Sequence, residues 1–95
     1  MRKFLIEREI PGVGAFDACQ LRDAARTSNA ALAELGPGIQ WQQSFVTGDR
    51  TYCVYLAESE EIIRRHAELS GFPANRICEI TSVIDPSTAG SGAEG

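Results

Sequence analysis

The chain carries one histidine, His66, and it lies in the segment Glu60–Pro73 (EEIIRRHAELSGFP). An imidazole titrates near neutral pH, so His66 is a candidate general base or metal ligand. Ile62, Ile63, His66 and Leu69 share one side of a helix, which turns the imidazole toward the core edge. The plainer alternative is a core-edge histidine bonded to a backbone carbonyl or a carboxylate. Glu7 and Glu79 each interrupt an apolar strand, and those strands are expected to be neighbours. If the register puts both carboxylates near His66, the cluster suits a divalent ion or proton transfer to a small ligand. If they face solvent, or pair with Arg8 and Arg76, no site forms. Trp41, Tyr52 and Tyr55 are candidates for a pocket lining or for a protein interface. The three cysteines, Cys19, Cys53 and Cys78, have no CxxC spacing. Their odd number suits a reducing cytoplasm better than a disulfide scaffold. There is no P-loop, GxGxxG run, GxSxG elbow or HExxH pair.

The elements that must position these residues are legible in order. Lys3–Ile10 reads as a strand whose Phe4, Leu5 and Ile6 are all apolar, with Glu7 and Glu9 on one side and Arg8 on the other. Pro11-Gly12-Val13-Gly14 ends it in a loop. Phe16–Leu35 is an alanine-rich helix, capped near Asp17, with a packing face through Leu21, Ala24, Ala25, Ala31, Leu32 and Leu35. Thr27-Ser28-Asn29 is a polar dip that marks a kink or a break. Gly36-Pro37-Gly38 stops the helix.

Ile39–Thr47 alternates, placing Trp41, Gln43, Phe45 and Thr47 on one side. Gly48-Asp49-Arg50 turns the chain into Thr51–Ala57, where Tyr52, Val54 and Leu56 oppose Cys53, Tyr55 and Ala57. The second helix is Glu60–Pro73, capped by Ser59 and closed by Gly71 and Pro73. Arg76–Ile84 is the last strand, ended by Asp85-Pro86.

The order βαββαβ predicts an α+β ferredoxin-like sandwich, with two helices on one face of a four-stranded antiparallel sheet whose first and third strands are central. Residues 1–86 form one domain, and 87–95 (STAGSGAEG) form a flexible tail. The aromatic surface exceeds what two helices bury, so a homodimer with facing sheets, a dimeric α/β barrel, is expected. With 13 acidic against 9 basic residues the net charge is −4, which argues against a nucleic-acid partner. The apolar run after Lys3 ends at Glu7, too early for a signal peptide or a membrane span, so a cytoplasmic protein is expected.

Motifs spread over the chain carry a resemblance. They are Phe4-Leu5-Ile6-Glu7-Arg8, Trp41-x-x-Ser44-Phe45-Val46-Thr47, Tyr52-Cys53-Val54-Tyr55, Glu61-x-Ile63-x-x-His66-Ala67-x-x-x-Gly71-Phe72-Pro73-Ala74 and Ile80-x-x-Val83-Ile84-Asp85-Pro86. Over roughly residues 1–89 the chain resembles a bacterial family classed as a domain of unknown function, whose described relatives look like nickel-binding ferredoxin-like dimers. The resemblance implies that fold, dimerisation and binding of a divalent metal such as nickel. The relatives hold several histidines, some at the end of the first strand, where this chain has Glu7-Arg8-Glu9. Only His66 and Glu7 carry over as ligand candidates. The leading expectation is therefore a non-enzymatic binding protein for a divalent metal or a small molecule. The rivals are a cofactor-independent enzyme moving a proton in a pocket near His66, of the isomerase or cyclase kind, and a protein-interaction module.

Overall fold

The computed structural model describes residues 1–90, and the end of the expected tail, 91–95, lies outside them. Among the described residues the order is β1 (Arg2–Glu9), α1 (Ala18–Leu35), β2 (Ile39–Val46), β3 (Arg50–Ala57), α2 (Glu60–Ser70) and β4 (Arg76–Ile80). The sheet runs β2-β3-β1-β4 and every pairing is antiparallel. This is the ferredoxin-like arrangement, with β1 and β3 central.

The two faces of the sheet follow from its registers. β1 pairs with β3 as Phe4↔Tyr55, Ile6↔Cys53 and Arg8↔Thr51. All six are buried, and Ile63 of α2 packs with Phe4, Ile6, Cys53 and Tyr55 in one cluster. These positions therefore face the helices. The intervening residues Leu5, Glu7, Tyr52, Val54 and Leu56 occupy the open face and are half-buried.

The helix ends explain their own boundaries. Asp17 accepts from the Gln20 N–H at 2.8 Å, while the Asp17 N–H donates to Gln20 Oε1 at 2.9 Å. This capping box starts α1 two residues after the expected Phe16, because Phe16 is still extended. α2 stops at Ser70, short of the expected Pro73. Gly71 at φ 79° takes the left-handed position, and its N–H closes on Ala67 O. Ser59 precedes α2 in an extended conformation but makes no side-chain cap.

Three further expectations are corrected. Thr27-Ser28-Asn29 neither kinks nor breaks α1. Thr27 Oγ1 donates to Asp23 O at 3.0 Å within the helix, and Ser28 is buried against α2. β2 does not alternate evenly. A bulge between Trp41 and Gln43 shifts the register, so Trp41 pairs with Tyr55 while Ser44 pairs with Cys53. Trp41, Ser44 and Val46 thus share the helix-facing side, and Gln43 and Phe45 the open one. The Trp41 Nε1–H donates to Ser44 Oγ at 2.9 Å, bridging the bulge. β4 ends at Ile80, not Ile84, because in the register Lys3↔Ile80 only Arg2 of β1 lies beyond the last pair, and Ser82–Ile84 have no strand residue opposite them. Val83 and Ile84 are consequently 69% and 78% exposed. Pro86–Gly90 then form a short exposed 3₁₀ turn.

One loop contact fixes the rim of the structure described next. The segment after β1 lies on the β2–β3 turn, and the Gly14 N–H donates to Gly48 O at 2.9 Å. A methyl group at Gly14 would meet Thr47 O at 2.7 Å and the Gly48 Cα at 2.8 Å. Gly14→Ala is therefore expected to lower stability by roughly 1–3 kcal/mol through forced separation of the two backbones. Denaturant unfolding measures this directly.

Candidate ligand pocket

The sheet positions an arginine where the alternation of β1 calls for an apolar residue. Arg8 follows Phe4 and Ile6 on the helix-facing side and is 2% exposed. Its Nη1 donates to Pro73 O at 2.9 Å and to Phe72 O at 3.3 Å, holding the loop after α2. The guanidinium lies between two rings, 6.0 Å from the centroids of both Tyr55 and Phe72. Nη2 has no hydrogen-bond partner. None of the carboxylates among the described residues bonds to Arg8.

His66 is buried completely, deeper than the core edge expected of it. Its ring lies 5.3 Å from the Tyr55 ring, tilted by 58°, and Nε2 is 3.2 Å from Ser28 Oγ. Nδ1 is buried without a partner. A proton on Nε2 makes Ser28 the acceptor and leaves a bare lone pair at Nδ1, a cheaper orphan than an N–H. Burial lowers the imidazole pKa below its usual value, and the nearby Arg8 charge lowers it further against the opposing Ser28 contact. Burial likewise raises the Tyr55 phenol, with Ser28 and Arg8 opposing the rise. His66 is therefore a neutral imidazole at physiological pH.

Above this polar floor is a cavity of about 200 Å³ between α1 and the sheet. Arg8, Ser28 and Tyr55 line it, together with Trp41, Ser44, Thr51 and Cys53. Its remaining walls are apolar, from Val13, Phe16, Ala24, Ala25 and Phe72. Leu21 and Val46 also line it and are 40% and 44% exposed, so apolar side chains border its opening to solvent.

The residues singled out from sequence separate. Trp41 and Tyr55 line the cavity, whereas Tyr52 is on the open sheet face. His66 sits behind Ser28 and Tyr55 and is not part of the lining. Glu7 is on the open face, bonded to Arg50 at 2.5 Å. Glu79 is exposed at the end of β4 in an ion pair with Arg2 at 2.8 Å, and that pair lowers its pKa. The pairing with Arg8 and Arg76 considered for these two carboxylates is thus replaced by Arg50 and Arg2. The three candidates do not converge, because the sheet separates Glu7 from His66 and Glu79 is held by Arg2. Among the described residues no group of three or more His, Cys, Asp or Glu side chains is placed to hold a metal ion.

Trp41 and Tyr55 are the only lining residues among the sequence candidates, and of those missed Arg8 and Ser28 carry a signal in the sequence. Arg8 shares the parity of Phe4 and Ile6, a signal that a buried side chain was due there. Ser28 lies three residues before the buried Ala31 on α1, so the polar dip marked a buried hydroxyl.

The family model described as nickel responsive protein SCO4226-like matches residues 4–80. Among solved structures, SCO4226 from Streptomyces coelicolor A3(2) superimposes with a TM-score of 0.72 at 21% sequence identity. That alignment covers 86% of this chain and 99% of the other. No curated protein matches.

Proposed function

The chain belongs to the SCO4226-like family of nickel responsive proteins, and on that premise we propose that it is a binding protein for a small molecule, taken up between α1 and the sheet. The cavity carries this reading. It is open, its walls and opening are largely apolar, and a few polar groups gather at its floor, which is how ligand sites are commonly built. A dry cavity of about 150 Å³ accepts benzene. About 200 Å³ therefore accommodates one ring with a short chain.

Nickel ligation is not supported by the donors among the described residues. The one imidazole has Nε2 on Ser28, has Nδ1 buried, and stands beside the Arg8 cation, which repels a metal ion. Response to nickel does not require that this chain ligate the ion. Proton-transfer catalysis by His66 finds little support either. Among the described residues no carboxylate orients the imidazole, and His66 does not line the cavity. We further propose a homodimer through the open sheet face, which presents Leu5, Val54 and Leu56 beside a 54% exposed Phe45. Three free cysteines suit a reducing, cytoplasmic setting. No helix among the described residues is long and apolar enough to cross a membrane.

Trp41 is the only tryptophan and lines the cavity, so its fluorescence reports occupancy. Titration with 3-phenylpropan-1-ol should change it saturably, with a Kd on the order of 0.1–1 mM for so small a ligand. Ala25→Phe places a ring in the cavity and should weaken binding at least tenfold without unfolding α1. Unchanged affinity in Ala25→Phe would contradict the pocket. Nickel titrated into untagged protein should show no stoichiometric binding that depends on His66. Such binding, lost in His66→Ala, would replace this reading with a metal site.

A further inference from the structure

Among the described residues, the cation at the cavity, Arg8, has no counter-ion. Arg8 is 2% exposed, its Nη2 has no hydrogen-bond partner, and its neighbours are two neutral carbonyl oxygens, two aromatic rings and the uncharged Tyr55 hydroxyl. Burying a charge without an opposite charge is unfavourable. This chain has 13 acidic residues against 9 basic ones, yet none of those described is bonded to Arg8. The ion pairs that do form, Arg2–Glu79, Arg50–Glu7 and Arg64–Glu60, all lie away from the cavity lining. Arg8 is itself one of the residues that line the cavity, so a counter-ion taken up there arrives beside it.

We propose that the ligand is a small carboxylic acid with an apolar body, whose carboxylate binds Arg8 while its body fills the space below Leu21 and Val46. This rests on the pocket reading above and names its ligand class. A planar guanidinium matches a carboxylate, and the pair strengthens where water is excluded. The Tyr55 hydroxyl, kept protonated by burial and close to Arg8, is a second donor to the same anion. Ser28, whose hydroxyl contacts His66, also lines the cavity and is a third polar residue there. The apolar walls hold the ring or alkyl body. Their extent limits the ligand to about the size of a phenylpropanoate.

The test pairs two probes that differ in the head group alone. Affinities for 3-phenylpropanoate and 3-phenylpropan-1-ol are measured at pH 7.5 by Trp41 fluorescence, in wild type, Arg8→Met and Arg8→Lys. The acid should bind wild type at least tenfold more tightly than the alcohol. The ratio should fall to near one in Arg8→Met and be intermediate in Arg8→Lys, which keeps the charge without the planar fork. Equal affinities in wild type would overturn the inference and leave the pocket standing, a result that needs no variant to fold. A ratio that persists in Arg8→Met would overturn the assignment to Arg8. Failure of both probes to bind would overturn the pocket and the inference together.

Discussion

Ile63→Ala will lower the stability of the fold by roughly 3 kcal/mol, within the 2–5 kcal/mol range of such truncations. Ile63 is fully buried in the cluster of Phe4, Ile6, Cys53, Tyr55 and Ala57, while its α2 neighbour Ile62 packs against that cluster only partly buried. Truncation leaves a void between α2 and the two central strands. The other buried residue of α2 is His66, whose Ser28 contact cannot compensate for lost packing. For a domain of this size the loss is a large share of the total. Ile63→Val, which removes one methyl group, should cost only about 1 kcal/mol. Urea unfolding of both variants measures the difference. A loss under 1 kcal/mol in Ile63→Ala would mean that α2 is not anchored as described.

Acid will destabilise the protein through His66 before its carboxylates protonate. The folded-state pKa of this imidazole is lowered, chiefly by burial and secondly by Arg8. Above about pH 6.5 the imidazole is neutral in both the folded and the unfolded chain, and stability is unaffected. As pH falls below that value the unfolded chain takes up a proton that the folded chain refuses. Stability then declines by at most about 1.4 kcal/mol per pH unit, until the folded-state pKa is reached. The groups around the imidazole reinforce the effect, since Arg8 repels a second cation and Tyr55 and Ser28 are uncharged there. Glu79 and Asp85, whose pKa values are lowered by Arg2 and by Ser87, lose their contributions only in more acidic solution. Denaturation midpoints between pH 7.5 and 5 should therefore fall in wild type and stay flat in His66→Gln. A slope equal in the two would show that another group carries the acid response.

Much of the fold is legible because it rests on local patterns. The strand order, the central places of β1 and β3, the faces of β3 and the glycine stops all follow from period-two alternation and from turn residues. The family could also be read from motifs, and the matched span of 4–80 sits inside the roughly 1–89 over which those motifs run. What was not legible depends on register. The bulge after Trp41 has no marker in a run of glutamines, so plain alternation puts half of β2 on the wrong face. The sheet register sends Glu7 to the open side and leaves Glu79 beside Arg2, which no single-strand pattern reveals. His66 is the sole imidazole, but Ser28 and Tyr55 stand between it and the cavity. A buried charge on the apolar side of a strand contradicts local patterning, and such contradictions concentrate where a protein meets its ligand.

The pocket is tested most directly by backbone and indole amide spectra recorded while 3-phenylpropan-1-ol is added. Shifts should concentrate at Val13, Ala24, Ala25, Ser28 and the Trp41 indole N–H, all at the cavity between α1 and the sheet. Tyr52, Val54 and Leu56 on the opposite face should barely move. Shifts centred on that open face, or none at saturating concentrations, would contradict a binding site between α1 and the sheet.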